Sequence, residues 1–203
     1  MFKKTLFFPL ILVIIAISFL QCKSSKKAQF ADGLTITKFS ERFIFTLDGR
    51  KIPLRPKGFE NSAVVLLVRH AEKLSGDDPG LTDQGLARAE KLKQLVFPLN
   101  IQEAFITKFK RVAYTARPLT EGSEIPIFTY TQKQYDNVLD EIHTKRMGSN
   151  VIIYGHSNTT PELVNKLTGT TNLKHIPHEE YDNLFVVLTN GVASKSLVYK
   201  FKY

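Results

Sequence analysis

The chain has 203 residues, 43% of them hydrophobic and 23% charged, which suits one globular domain with a sizeable core and excludes disorder over most of its length. Its formal net charge of +9 favours anionic ligands or an anionic surface as partners. The sequence shows no basic stripe interleaved with aromatic residues and no internal repeat, so we expect no nucleic-acid partner and no repeat architecture.

The first 22 residues, MFKKTLFFPLILVIIAISFLQC, are organised like an export signal. Two lysines precede an uncharged apolar stretch over residues 5–20, which is shorter than the roughly 20 residues that a membrane-spanning helix needs. Cys22 follows this stretch and is the single cysteine of the chain, so it cannot form an internal disulfide. The arrangement resembles a bacterial lipoprotein signal, although Leu20 and Gln21 stand where small residues usually precede the cysteine.

This resemblance implies that residues 1–21 are a signal peptide and that Cys22 becomes lipidated. Residues 22–33 would then be a polar, basic tether, and residues 34–203 the folded domain. The alternative is an uncleaved N-terminal anchor in which Cys22 has no role. Both interpretations predict a protein of the cell envelope, held at a membrane and facing the periplasm or the extracytoplasmic space.

The domain begins with residues 34–54, which alternate apolar and polar residues around Asp48 and Gly49 and predict a leading β-hairpin or an edge piece of the sheet. The apolar run 63–68 predicts a buried strand. Thr82 then opens a helix whose predicted apolar face consists of Leu86, Ala89, Leu92 and Val96.

Strands and helices alternate over the rest of the chain. Strands are predicted over residues 103–108, 125–130, 150–155, 183–188 and 196–201. Helices are predicted over residues 111–121, where Pro118 should kink or shorten the helix, around an apolar face of Tyr135, Val138, Leu139 and Ile142, and from Thr160 to a stop at Gly169. This alternation predicts a three-layer α/β/α sandwich with a mostly parallel central sheet and an antiparallel edge formed by the last two strands.

Polar side chains follow three of the predicted central strands. Arg69 and His70 follow the first, residues 107–111 follow the second, and residues 156–158 follow the strand 150–155. Because ligands bind outside the carboxyl ends of strands in such sheets, we expect these side chains to converge. Arg69 and His70 each disfavour protonation of the other, so an anion, phosphate above all, is the partner that would accept both.

Four segments carry a resemblance to a known family: LLVRHAEK, LTDQGLARAEKL, FITKFKRVAYTARPL and VIIYGHSN. In this order they resemble the histidine phosphatase superfamily, with its phosphoglycerate mutase-like fold, from about residue 64 to residue 187. The motifs of that family fall on Arg69 and His70, with Ala71 in place of a glycine, on Arg111, Thr115 and Ala116, and on Gly155 and His156.

The resemblance implies that His70 attacks phosphorus and becomes a phosphohistidine, while Arg69, Arg111 and His156 hold the phosphoryl oxygens. It implies no cofactor and no metal. The chemistry is consistent with these residue types, because a neutral imidazole is a nucleophile near neutral pH and planar guanidinium groups match phosphate oxygens. A metal site that uses His70 and His156 is disfavoured, because Arg69 would repel a cation.

Four further residues are predicted to bind a small phosphorylated substrate: Glu72, Thr107, Ser157 and Asn158. For Glu72 the alternative is a surface ion pair with Lys73 or Arg69. Thr107 could instead cap the following helix, and Asn158 could lie in the loop before the next helix. Glu72 and Asp136 are the candidates for the general acid that protonates the leaving group.

Together these patterns predict a metal-independent phosphohydrolase that works through a phosphohistidine. The short segment between Arg111 and His156 leaves little room for a capping subdomain, which disfavours a sugar-phosphate mutase and favours a small, open pocket. The alternative is a pseudoenzyme of the same fold, which binds phosphorylated ligands but lacks a working acid.

Overall fold

The computed structural model describes residues 33–203. The predicted signal peptide, the lipidation site Cys22 and the tether, up to residue 32, lie outside the described residues. The strands are β1 (Leu34–Phe39), β2 (Phe43–Thr46), β3 (Lys51–Pro53), β4 (Ala63–Arg69), β5 (Glu103–Ile106), β6 (Ile127–Thr129), β7 (Asn150–Gly155), β8 (Asn183–Thr189) and β9 (Leu197–Lys202). The helices are α1 (Asp83–Val96), α2 (Lys110–Thr120), α3 (Tyr135–Lys145) and α4 (Thr159–Thr168). Within the described residues, no helix has both the length and the apolar character needed to cross a membrane.

The strands form one sheet in the order β3-β2-β1-β9-β8-β4-β7-β5-β6. The region from β4 through β7 and β5 to β6 is parallel, whereas β8 runs antiparallel to both β4 and β9. The α/β fold with a central sheet is confirmed. The position of the last hairpin differs from the expectation, since β8 and β9 lie inside the sheet and the antiparallel edge is formed by β1, β2 and β3.

Alternation along β4 sends its side chains into two cores, one on each face of the sheet. Val64, Leu66 and Val68 pack in the core that contains the buried residues of α1 and α2. Val65 and Leu67 pack in the core that contains those of α3 and α4. Every residue of β4 is buried, as expected for a strand that has helices on both faces. The three-layer arrangement follows from this continuous apolar run.

The helix boundaries follow local sequence signals. Thr82 caps α1 by accepting a hydrogen bond from the Gly85 amide at 3.1 Å, and Gly169 ends α4 with a positive φ of 64°. Pro118 lies inside α2, which ends two residues later at Thr120, so the helix is short as predicted. One predicted core position is wrong, because Leu86 is 50% exposed and Leu95 is buried in its place.

Candidate active site

Three neighbouring parallel strands position the predicted site. β7 lies between β4 and β5, so the carboxyl ends of all three strands meet at one edge of the sheet. The His70 amide donates to the Gly155 carbonyl at 3.0 Å, which fixes the end of β4 against the end of β7. As a result the His70 and His156 rings lie close together, with their centroids 5.5 Å apart.

His70 is held with one ring nitrogen available for chemistry. His70 is only 3% exposed, and its Nδ1 is 2.8 Å from the Ala71 carbonyl oxygen. A carbonyl can only accept, so Nδ1 carries the proton and Nε2 keeps its lone pair. The pKa of His70 is lowered to about 3, mainly by burial and also by Arg69, His156 and Arg111, against the opposing effect of the Ala71 hydrogen bond. His70 is therefore a neutral imidazole at neutral pH.

His156 is the second neutral imidazole of the site. Its pKa is lowered to about 4, first by burial and then by the charges of Arg111 and Arg69. Arg111 Nη2 lies 3.5 Å from His156 Nδ1, and a guanidinium can only donate. The remaining proton is therefore on Nε2, which donates to Thr107 Oγ1 at 3.0 Å. This arrangement leaves the Thr107 hydroxyl proton free to donate to a ligand.

The Arg69 guanidinium is fixed by the loop before β8. Its Nη1 donates to the carbonyls of Pro177, His178 and Glu180 at 2.8 to 3.0 Å. The Tyr181 ring packs against the same group, with 4.1 Å between the guanidinium carbon and the ring centroid. Burial lowers the pKa of Arg69, but a guanidinium keeps its charge at any physiological pH. A buried cation is thus oriented without a carboxylate partner.

Arg111, in the first turn of α2, contributes the second guanidinium group of the site. Its guanidinium lies 4.5 Å from the centre of the Phe109 ring, and its Nη1 is 3.8 Å from Asp78 Oδ1. The Nε atoms of Arg69 and Arg111 are both buried and have no hydrogen-bond partner within the described residues. Buried donors of this kind are rarely left unpaired, and an oxyanion bound in the cavity could accept from them.

Thr115 joins the two motif segments that carry His70 and Arg111. Its hydroxyl donates to the Arg111 carbonyl at 2.7 Å and accepts from the Ala71 amide at 2.9 Å. The residue is 1% exposed, so these bonds are protected from water. One buried hydroxyl therefore sets the position of α2 relative to the end of β4.

These side chains line a cavity of about 470 Å³, a size typical of small-molecule sites. Its walls are formed by Arg69, His70, Lys73, Thr107, Lys108, Phe109, Arg111, Tyr130, Thr131, Gln132, Tyr135, His156, Ser157, Asn158, Thr159 and His178. Over residues 33–203, no Asp or Glu is part of this lining, and no group of three or more His, Cys, Asp or Glu side chains could hold a metal ion. The cavity is therefore cationic.

Of the predicted substrate-binding residues, the structure places Thr107, Ser157 and Asn158 on the cavity wall. Glu72 does not line it. Its carboxylate instead accepts from Arg88 of α1 through both guanidinium edge nitrogens, at 2.6 to 2.9 Å. Ion pairing with Arg88 explains the difference, and within the described residues the expected surface pair with Lys73 or Arg69 is not formed.

The second candidate for the general acid is also distant from the cavity lining. Asp136 is on α3, its side chain is 80% exposed, and it pairs with Lys166 of α4 at 2.9 Å. Neither Glu72 nor Asp136 is thus placed to protonate a leaving group in this cavity. The helix face that carries Tyr135, Val138, Leu139 and Ile142 is buried as predicted, which turns Asp136 outward.

Several site residues were not found from the sequence. Lys73, named from the sequence only as an alternative ion-pair partner of Glu72, lines the cavity, and so does Lys108, which belongs to the predicted polar set 107–111 but was not predicted to bind substrate. Their signal was present, since each lies within three residues of a predicted site residue at a strand end. Tyr181 and the carbonyls of residues 177–180 had no such signal, because a backbone contact that bridges more than 100 residues leaves no pattern in sequence.

Comparison with known protein families finds a match over one part of the chain. The histidine phosphatase superfamily (branch 1) matches residues 65–132. No curated protein sequence matches the chain significantly.

Three solved structures share the fold at low sequence identity. The protein histidine phosphatase SixA in complex with tungstate has a TM-score of 0.56 and 13% identity, over 68% of this chain and 96% of its own. The protein from Nakamurella multipartitia provisionally named phosphohistidine phosphatase SixA has a TM-score of 0.52 and 16% identity, over 68% and 93%. Mycobacterial hydrolase 2 has a TM-score of 0.52 and 10% identity, over 69% and 89%.

The described domain therefore has the phosphoglycerate mutase-like fold of histidine phosphatases. By sequence, the similarity to the histidine phosphatase superfamily extends over residues 65–132.

Proposed function

We propose that this protein is a metal-independent phosphohydrolase that acts on a small phosphorylated substrate through a phosphohistidine on His70. The observation that supports this most is that one cavity contains both a nucleophilic nitrogen without a proton and hydrogen-bond donors without acceptors. The Nε2 of His70 has a lone pair and no proton, and the Nε–H groups of Arg69 and Arg111 are buried without acceptors. A phosphoryl group satisfies both, since its phosphorus accepts the lone pair and its oxygens accept the hydrogen bonds.

The proposed reaction has two displacements at phosphorus. In the first, the His70 Nε2 lone pair forms a P–N bond, and the P–O ester bond breaks with its electron pair on the leaving oxygen, which takes up a proton from solvent water. In the second, water attacks phosphorus and releases a proton to solvent, the P–N bond returns its pair to Nε2, and orthophosphate leaves. Arg69, Arg111 and the free Thr107 hydroxyl donate hydrogen bonds to the oxygens as charge develops on them, and His156 orients Arg111 and Thr107 for this role.

The ligand of a similar structure agrees with this proposal. The complex of protein histidine phosphatase SixA contains tungstate, a tetrahedral oxyanion like phosphate. The shared fold supports an oxyanion as the ligand of this chain, and the cationic lining of its cavity supports the same conclusion.

One observation favours a second candidate function, a pseudoenzyme that binds phosphorylated ligands. No carboxylate lines the cavity within residues 33–203, so an alkoxide leaving group would lack an acid from Asp or Glu. The two functions predict different selectivity. A working phosphohydrolase with this cavity should turn over aryl phosphates, whose leaving groups need little protonation, faster than alkyl phosphates, whereas the pseudoenzyme should bind both and hydrolyse neither.

The decisive experiment traps the covalent intermediate. The full chain is mixed with a ³²P-labelled aryl phosphate and quenched without acid, and the labelled peptide is identified by mass spectrometry. We expect an acid-labile label on His70 that is absent from His70→Ala. His175→Ala is the matched control, because His175 is exposed and does not line the cavity. Steady hydrolysis by His70→Ala at the wild-type rate would refute the mechanism.

We further propose that the domain is tethered to a membrane of the cell envelope through a lipidated Cys22, on the extracytoplasmic side. The supporting observation is the apolar stretch 5–20 that ends at the only cysteine. The tethering is tested by fractionation of cells that express wild type or Cys22→Ala. Recovery of both proteins in the same membrane fraction, without incorporation of labelled fatty acid into the wild type, would contradict lipidation.

A further inference from the structure

The cavity holds more positive charge than one phosphoryl group needs. A phosphate monoester carries about two negative charges at neutral pH, and the guanidinium groups of Arg69 and Arg111 balance these. Lys73 and Lys108 also line the cavity, and no Asp or Glu of residues 33–203 does. Two ammonium groups thus remain without a counter-charge when the phosphoryl group is bound.

Both lysines are placed by the backbone of the site. Lys73 forms an isolated antiparallel bridge with Leu81 three residues after His70, and the Leu74 amide donates to the Gly80 carbonyl at 3.1 Å. Lys108 lies between Thr107, which contacts His156, and Phe109, whose ring is 5.2 Å from that of His156. Each ammonium group is therefore attached to a segment that the site itself holds in place.

The nearby carboxylates are engaged elsewhere. Asp78 accepts from the Lys110 amide at 3.0 Å and lies beside Arg111, and Glu179 contacts His178 at 3.0 Å. Over the described part of the chain, neither Lys73 nor Lys108 forms a salt bridge. The Lys73 ammonium makes one hydrogen bond, to the Leu74 carbonyl at 3.3 Å. Its charge is thus available to a ligand.

Another part of the lining is uncharged. Tyr130, Thr131, Gln132 and Tyr135 form it, and their side chains offer hydroxyl, amide and aromatic groups. A leaving group that extends from the phosphoryl site into this cavity therefore meets neutral groups as well as the two lysines. A second negative group on the substrate would be attracted only to the lysines.

We propose that Lys73 and Lys108 form a second anion subsite, which selects substrates that carry a carboxylate or a second phosphate in addition to the reacting phosphoryl group. The proposal rests on the proposed function for the position of that phosphoryl group. It assigns the substrate class, a phosphorylated acid or a bisphosphate, and it makes the two lysines specificity residues of the same cavity.

The test uses two non-hydrolysable ligands that differ in one charge. Binding of 4-carboxybenzylphosphonate and of 4-carbamoylbenzylphosphonate to the full chain in detergent is measured by calorimetry at about pH 8.5, where both phosphonates are dianions. Two partly exposed lysine–carboxylate contacts should make the carboxylate ligand bind about fivefold more tightly. In the double variant Lys73→Gln/Lys108→Gln the ratio should fall to about twofold or less.

Lys91→Gln is the matched control, since it removes the same charge from an exposed position of α1 outside the cavity, and it should keep the wild-type ratio. Equal affinity of the wild type for both ligands would overturn the proposal, as would a full carboxylate preference in the double variant. Because binding is measured without turnover, the outcome is separate from that of the labelling experiment. A protein that shows the preference but forms no phosphohistidine would keep the subsite and lose the proposed hydrolysis.

Discussion

The cavity contains a cluster of two arginines and two histidines and, separately, two lysines. The protein holds the cluster more firmly than it holds the lysine side chains. The four-residue cluster of Arg69, His70, Arg111 and His156 is fixed by backbone carbonyls, by Thr107 and by aromatic rings. Within the described residues, by contrast, the side chains of Lys73 and Lys108 together make one hydrogen bond, from Lys73 to the Leu74 carbonyl. One part of the site is therefore rigid and the other adaptable.

The difference corresponds to two kinds of task. Donors that stabilise charge in a transition state are effective only if they are oriented before the reaction, because reorientation during the reaction costs free energy. Recognition of the remainder of a substrate tolerates movement, and lysine provides a flexible point charge for it. Under the proposed function, the four-residue cluster determines the reaction and the two lysines determine which phosphorylated compound is accepted.

The largest expected effect is on the rigid part. Arg111→Lys keeps the positive charge but loses the planar fork, so kcat/KM for an aryl phosphate should fall about 10² to 10³-fold. Arg117→Lys is the control from the same helix, since Arg117 is exposed and pairs only with Glu121. It should leave kcat/KM within about twofold. Comparable losses in the two variants would mean that orientation by the cluster is unimportant.

The sequence specified the rigid part well, and physical reasons explain why. Strand β4 is a long apolar run, and β5 and β7 each contain a shorter one, so their ends could be predicted, and parallel strands bring their carboxyl ends to one edge. The order β4-β7-β5 was not needed for that inference, because any parallel arrangement of neighbouring strands gives the same edge. The convergence of His70, Arg111 and His156 was predictable for this reason.

Features that depend on nonlocal packing were not predictable. Glu72 was expected at the pocket, but its direction depends on Arg88 of α1, sixteen residues away. Leu86 fits a helical apolar face in sequence, yet the packing of α1 on the sheet buries Leu95 and leaves Leu86 exposed. The last hairpin was placed at the edge because nothing in its own sequence records that β1 pairs in parallel with β9.

An intermediate effect is expected where the two motif segments are joined. Thr115→Val keeps the shape of the side chain but leaves the buried Ala71 amide without an acceptor, which should lower the free energy of unfolding by about 1–3 kcal/mol. The loss of this link should also lower kcat/KM about tenfold, since the His70 segment is no longer fixed to α2. Both quantities are measured by urea unfolding and by aryl phosphate kinetics.

Thr120→Val is the control for that change. Thr120 is also buried in α2, but its hydroxyl donates only to the Ala116 carbonyl, and its substitution strands no donor. We expect a loss below about 1 kcal/mol and unchanged kinetics. If the two threonine variants behave alike, the bond to Ala71 has no special role in placing His70.

The smallest expected effect concerns the stability cost of keeping the His70 imidazole neutral. The pKa of His70 is about 3 in the folded protein, against about 6.5 in an unfolded chain. Between these values the unfolded chain binds a proton that the folded protein does not, so stability falls as pH decreases from 7 through 6.5 and the loss continues down to about pH 3. From pH 7 to pH 5 the contribution of His70 to this loss is about 1–2 kcal/mol.

His70→Gln removes this titration while keeping a polar side chain of similar size. Unfolding in urea at pH 7 and pH 5 should therefore show a smaller decrease for the variant than for wild type, by about 1–2 kcal/mol. His175→Gln, at an exposed position, should reproduce the wild-type decrease. An unchanged pH dependence in His70→Gln would show that burial does not keep the His70 imidazole neutral. Holding His70 rigidly in the cluster would then have no cost in stability at low pH.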